Sequence, residues 1–279
     1  MDASNSILLN RVFSRNTMKQ IIDDGECQTY TAAIRRYVVD YSDRTNGECI
    51  SEIYQYLKRN YQNEYYYKNT LLNKLLLGVH SPKTTTALTE VPVGNSKADF
   101  ILINGKAVVY EIKTALDNFE RLDGQLSDYY KAFSRVVLVT SESNFEEAQK
   151  RLKDTPVGIC ILTSRGTLSM RKEPIEHTEE LSKSIMFKIL RKEEYEHILQ
   201  GYFGELPQVS QFEYFRVCKA KFESIPIDEA YKLFIQEIKK RSKIEVEAYK
   251  HVPYELKFLI YFSELKKRDY TKLYKFLNA

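Results

Sequence analysis

Glu111 and Lys113 stand two residues apart in KAVVYEIKT, a β-branched and aromatic run that reads as a strand. Side chains two apart on a strand leave the same face, so a carboxylate and an ammonium project side by side. Asp99 lies in the preceding run, KADFILI. Two carboxylates brought together beside an apolar sheet repel: unit charges about 4 Å apart cost roughly 4 kcal/mol at an effective dielectric near 20. A hard divalent cation reverses that sign, and Mg²⁺ takes a few carboxylates with waters and phosphate oxygens completing its octahedron. A lysine beside them can hold an attacking water or offset charge developing on a phosphate. Taken alone, E-x-K on a strand is better explained by a cross-strand ion pair on a solvated face.

Whether Asp99 shares that face depends on the turn at Asn104-Gly105. A two-residue loop sets Asp99 opposite Tyr110 and sends Glu111 to the other face. A three-residue loop, 103–105, with Gly105 left-handed in a G1 bulge, pairs 102 with 106. Residues 99, 109, 111 and 113 then share one face, and this odd-length loop is the expectation.

The elements that must hold these residues follow from hydrophobic periodicity. Residues 1–80 are helical in character: Ala33 and Tyr37, Ile34 and Val38, then Ile50, Ile53, Tyr54 and Leu57 recur at helical spacing. A further helix starts near Asn63, with Leu71, Leu72, Leu75 and Leu76 as its stripe. From about 84 to 172, TTTALTEVPV, KADFILI, KAVVYEIKT, RVVLVTS and VGICILT predict five strands. Between the third and fourth, FERLDGQLSDYYKAF has Phe119, Leu122, Leu126, Tyr129 or Tyr130, and Phe133 on one helical face, and NFEEAQKRL predicts a helix before the fifth strand. Hairpins open this order and helical crossovers close it, which predicts a mixed sheet with helices on its faces. Gly124 in mid-helix suggests close packing on the sheet. After about 174, LSKSIMFKILRK, AYKLFIQEIKKRSK and ELKFLIYFSELKKRDYTKLYKFL return to helix. The basic clusters at 239–243 and 266–268 each fall near the C-terminal part of a predicted helix, where they complement its dipole or sit on solvated faces. The expected divisions are an N-terminal helical region (1–60), a core (61–173) and a C-terminal helical region (174–279).

DFILINGKAVVYEIK resembles the motif of the PD-(D/E)xK nuclease superfamily, an acid opening one strand and E-x-K in the next. Gln125 and Tyr129 on the following helix are similar to the QxxxY element of its RecB-like branch. NEYYYKNTLLNKLLLG resembles the superfamily's first core helix, which often supplies an acid. Glu64 falls there on the stripe of Lys68, Leu71 and Leu75 and should point inward; an i,i+4 pair with Lys68 accounts for it equally well. Glu90 on the first strand is a second candidate. The resemblance covers about residues 61–165 and is nearest to a bacterial group of largely uncharacterised members with a helical C-terminal extension. Ala98 stands where the superfamily has proline.

The resemblance implies an α/β fold: a restriction-endonuclease-like αβββαβ core with a mixed sheet, flanked by N- and C-terminal helical regions. It implies that Asp99 and Glu111 bind Mg²⁺, for which Mn²⁺ can substitute, together with the backbone carbonyl of Ile112. Lys113 would position and activate water, Gln125 and Tyr129 would orient substrate or water, and Glu64 or Glu90 would complete the acidic cluster. The implied activity is phosphodiester hydrolysis, in DNA before RNA, in defence against foreign DNA or in repair and recombination. Two rivals remain: a nucleic-acid-binding module that does not cut, and a helical interaction protein that uses the sheet as a scaffold.

Bulk composition narrows the classes further. The 279 residues are 43% hydrophobic and 29% charged, with 21 Tyr and no Trp. A net charge of +4 is too small by itself to argue for a polyanionic partner. The four cysteines, Cys27, Cys49, Cys160 and Cys218, form no CxxC pair, which excludes zinc-ribbon spacing and a disulfide scaffold and leaves buried free thiols as the expectation. His80, His177, His197 and His251 show no HExxH spacing and read as surface or capping residues. No GxxxxGK[ST] loop is present, so nucleotide hydrolysis is not expected of this chain. No apolar run approaches the roughly 18–20 residues of a membrane span, and the N-terminus does not read as a signal peptide. A cytoplasmic protein is expected, with no membrane partner, and with a protein partner or a second copy bound through the helical regions.

Overall fold

Apolar residues at helical spacing fold the first quarter of the chain into α1 (Ala3–Val12), α2 (Arg15–Asp24), α3 (Gln28–Tyr37), α4 (Asn46–Asn60) and α5 (Glu64–Leu71). The structure is a computed structural model that describes residues 3–78, 84–241 and 244–279; His80 and the end of the 239–243 cluster lie outside them. Thr45 and Glu48 make a capping box at α4, and Asn63 Oδ1 accepts from Tyr66 N at the start of α5. α5 runs directly into a π-helical turn, Leu72–Leu77.

The chain then enters a six-stranded sheet: β1 (Thr86–Val93), β2 (Ser96–Asn104), β3 (Lys106–Lys113), α6 (Leu122–Tyr130), β4 (Val136–Ser141), α7 (Phe145–Leu152), β5 (Gly158–Leu162) and β6 (Leu168–Lys172). Spatial order equals chain order. β1–β2–β3 are antiparallel, β3–β4–β5 parallel across the α6 and α7 crossovers, and β6 returns antiparallel. The fold is therefore mixed α/β, a mixed sheet with flanking helices. β6 is one strand more than the sequence patterns predict. LSMRK lacks a buried face, and the strand exists because the Thr163–Thr167 turn folds it back on β5.

Both sheet faces are covered, so the central strands read as almost unbroken apolar runs. Phe100, Leu102, Tyr110, Ile112, Val137 and Val139 pack against the N-terminal helices. Ile101, Ile103, Val109, Leu138, Ile159 and Ile161 pack with α6 and α7. The helices after residue 174 divide between the two sides. α8 (Lys183–Ile189), α9 (Lys192–Phe203), α10 (Gln211–Ser224) and α11 (Ile227–Lys239) join the α6 side. α12 (Val246–Tyr249), α13 (Lys257–Tyr261) and α14 (Lys267–Leu277) return to the N-terminal helices. Asn69 ties them there: its amide donates to the Tyr54 hydroxyl and the Tyr254 carbonyl and accepts from Phe258 N.

The last long helical pattern is broken between α13 and α14, where Glu264 adopts φ 48°. Lys266–Arg268 therefore opens α14 instead of ending a helix, and Asp269 accepts from Lys266 N at 2.9 Å. Lys239 does end α11, and Arg241 just beyond it is bound by Glu194. All four cysteines are free and buried. Among the described residues no helix is long and apolar enough to cross a membrane.

Candidate functional site

The β2–β3 turn decides which face Asp99 takes. Asn104 pairs with Lys106 and Phe100 with Tyr110, so Gly105 alone, at φ 71°, reverses the chain. The loop is odd in length, as the face argument requires. The register differs by two residues from the expected one, and 102 pairs with 108, not 106. Continued by one residue, this register sets Asp99 opposite Glu111, with Lys113 on the same face.

Glu111 is 1% exposed. The Tyr129 hydroxyl donates to its Oε2 at 2.6 Å and also lies 2.9 Å from the Lys97 carbonyl. Lys113 Nζ lies 3.0 Å from Glu111 Oε1 and donates to Gln125 Oε1 at 2.8 Å. Gln125 and Tyr129 stand i,i+4 on α6 and point the same way, which lets one helix hold both ends of the Glu111–Lys113 pair. Thr140 on β4 donates to the Lys113 carbonyl, fixing the backbone that carries the lysine. Gly124, expected to pack closely on the sheet, instead has no atom within 4 Å of where a Cβ would stand, and it borders an open groove beside Gln125.

Asp99 Oδ2 accepts from Ile112 N at 2.9 Å. The Ile112 contact seen here is thus through its amide. Burial, and then the Glu111 charge, push the Asp99 carboxyl up to about 8. Burial likewise raises Glu111, against the opposing hydrogen bond from Tyr129 and the charge of Lys113. Two buried carboxylates this close disfavour each other's ionisation, a setting in which a bound cation would take the place of the proton.

Sequence reasoning gave Lys68 no part beyond an ion pair with Glu64. The structure buries it at the centre of the cluster, where its ammonium contacts Glu64 Oε1 and Glu90 Oε1 and lies 3.9 Å from Asp99 Oδ1. Burial disfavours that charge, but Glu64 and Asp99 outweigh it and raise the Lys68 pKa. Glu64 does not point inward: its side chain is 57% exposed at the mouth of a cleft of about 570 Å³. Glu90 reaches the cluster because its backbone takes φ 55°, interrupting the β1–β2 ladder between the Thr89–Phe100 and Val91–Ala98 pairs. Positive φ at a non-glycine residue is strained and recurs at functional sites. No sequence signal marks it.

Carboxylate oxygens of Glu64, Glu90 and Asp99 all lie within 4.8 Å of one another. This all-oxygen donor set, with an ammonium already between the carboxylates, fits a hard cation such as Mg²⁺. Eight residues singled out from the sequence therefore form two adjoining groups. Glu111, Lys113, Gln125 and Tyr129 make one hydrogen-bonded set, Glu64 and Glu90 meet at Lys68, and Asp99 with Ile112 joins the two.

The chain is thus a mixed α/β protein with a carboxylate–lysine cluster, buried at Glu111 and Lys68 and open to solvent at Glu64 and Glu90, built by β1, β2, β3, α5 and α6. It belongs to the Bacteriophage P4 protein cII family, whose match spans residues 57–257 and contains all eight of these residues. It is similar to Protein cII of Enterobacteria phage P4, with 30% identity over 122 residues, 42% of this chain and 46% of that protein. The chain spans about half the length of this curated relative. Among solved structures it is similar to the SPO1766 protein of unknown function from Silicibacter pomeroyi, at a TM-score of 0.29 and 15% identity, over 46% of this chain and 87% of the other.

Proposed function

We propose that this protein is a Mg²⁺-dependent nuclease of the PD-(D/E)xK type, with a restriction-endonuclease-like core, that hydrolyses phosphodiester bonds in DNA. The observation that carries the reading is the convergence of Asp99, Glu111, Lys113, Gln125 and Tyr129 from three elements on one site. An ion pair on a solvated strand face would not need Tyr129 and Gln125 to bury and orient it.

In this reading Asp99, Glu111 and the Ile112 carbonyl would hold Mg²⁺, with Glu64 or Glu90 beside them, and the ion would supply Lewis-acid charge for phosphodiester hydrolysis. The chain's own residues do the rest. Tyr129 and Lys113 engage the two oxygens of Glu111 and hold its carboxylate in one orientation opposite Asp99. Lys113, positioned by Gln125 and Glu111, presents an ammonium that orients the attacking water and offsets charge growing on the phosphate. Lys68 compensates the carboxylates in the absence of metal. Cleavage of single-stranded, duplex and branched DNA by the full chain with Mg²⁺, compared with Lys113→Ala and Asp99→Ala, tests the assignment.

One observation favours a second reading, a module that binds nucleic acid or protein without cutting: Lys68 already compensates the acidic cluster. Tyr202, Phe203, Phe212 and Phe215 are exposed on α9 and α10, Phe212 at 97%, which suits a protein partner or a second copy on the helical region. Defence against foreign DNA and repair are both compatible with the nuclease reading.

A further inference from the structure

Arg15, Arg191 and Arg241 line one small cavity of about 190 Å³, with Thr89 also in its wall. The three come from the start of α2, the N-cap of α9 and the end of α11, segments with no sequence neighbourhood in common. This cavity and the cleft that contains Glu64, Lys68 and Glu90 share two lining residues, Arg15 and Thr89. The Thr89 hydroxyl donates to the Asp99 carbonyl at 2.7 Å, so the arginine cavity and the carboxylate cluster meet across one side chain.

Arg241 is a fixed donor. Its Nε and Nη2 are held by the two oxygens of Glu194, and Nη2 also donates to the Ile189 carbonyl. Three of its five N–H groups are thereby used, leaving the two on Nη1. Arg15 and Arg191 are exposed and reach the cavity from the solvent side, Arg15 resting 6.0 Å from the Phe262 ring centroid. Glu264 also lines the cavity and Glu194 lies behind Arg241, so two carboxylates oppose three guanidinium groups and a positive excess remains. Guanidinium forks suit the planar, bidentate recognition of phosphate oxygens. The volume is below the roughly 300–1,000 Å³ of pockets that enclose drug-sized ligands, so it takes a phosphate group and not a nucleoside.

We infer that the Arg15–Arg191–Arg241 cavity is a subsite for a backbone phosphate of the nucleic-acid strand, near the bond to be cut. It rests on the nucleic-acid reading of the adjoining cluster and names how that substrate is held. The strand enters along the exposed edge of Arg15, places one phosphate among the three arginines, and presents a neighbouring phosphodiester to the Glu64, Glu90 and Asp99 side of the cluster.

The test is the equilibrium binding of a short fluorescein-labelled oligodeoxynucleotide to the full chain in EDTA, across a salt series. Arg15→Gln and Arg191→Gln change exposed residues and keep the Arg241–Glu194 contact, and melting curves verify that both fold. Each is expected to weaken binding roughly tenfold and to lower the slope of log K against log salt by about 0.7–0.9. Lys272→Gln, an equal charge change on α14, leaves both unchanged. Wild-type affinity and slope in the two arginine variants, or no binding by the wild-type chain to single-stranded DNA, duplex DNA or RNA, would overturn the subsite. Binding that the arginine substitutions weaken, without cleavage in Mg²⁺, keeps the subsite and removes the nuclease. Cleavage with unaffected binding in the variants removes the subsite alone.

Discussion

The Tyr129 hydroxyl and the Glu111 carboxylate are joined at 2.6 Å, and neither side chain is more than 1% exposed. A buried carboxylate stripped of a donor retains its desolvation cost, about 1–3 kcal/mol for the lost hydrogen bond. Tyr129→Phe should therefore destabilise the metal-free fold by that amount, a fall in Tm of several degrees at about 2–4 °C per kcal/mol. Thermal melting in EDTA at neutral pH measures it. An unchanged Tm would mean that Glu111 does not depend on this donor.

Lys68 makes the opposite contribution to metal binding. Its ammonium lies among Glu64 and Glu90, whose side chains are 57% and 42% exposed, and the more buried Asp99, so solvent screening holds the cost of removing it to about 1 kcal/mol per contact. Lys68→Met should lower stability in EDTA by an amount of this order. With the competing cation gone, Mg²⁺ should bind at least about tenfold more tightly and restore most of the loss. Denaturant titrations with and without Mg²⁺ decide this. A variant as unstable in Mg²⁺ as in EDTA would remove the metal from the cluster.

The Asp99 carboxyl stands at about 8 in the fold against an ordinary 3.8, raised by burial and by Glu111. The folded chain therefore keeps a proton that the unfolded chain releases. This contribution to metal-free stability is complete below pH 4 and lost as pH rises through 8. A cation that needs the ionised carboxylate competes with that proton. Mg²⁺ affinity should then climb with pH, by up to about tenfold per unit below pH 8, and level off above it. Calorimetric titration at several pH values follows the trend, and Asp99→Asn should flatten it. Affinity independent of pH in the wild-type chain would contradict the ligand assignment.

Much of this site was legible because it depends on short-range periodicity. Glu111 and Lys113 share a face by the two-residue period of a strand, and Gln125 and Tyr129 share one by helical spacing. The parity of the Gly105 turn could be argued from strand geometry, but its register could not, since one and three residues give the same face. Lys68 was underestimated because its role is tertiary, set by the left-handed backbone of Glu90 and by the packing of α5 on β3. Strand β6 was missed because LSMRK has no buried face, although Gly166 marks the turn before it, and the break at Glu264 because no Gly or Pro stands there. Gly124 misled: its missing side chain opens a groove and does not tighten a contact.

The most direct test of the central claim is cleavage itself. The purified 279-residue chain is incubated with labelled DNA in Mg²⁺, in EDTA, and as Lys113→Ala and Asp99→Ala. The nuclease reading expects cleavage by the wild-type chain in Mg²⁺, none in EDTA, and a loss of at least about a hundredfold in either variant. Cleavage that survives in both variants, or its absence from the wild-type chain on every DNA and RNA form offered, would contradict it.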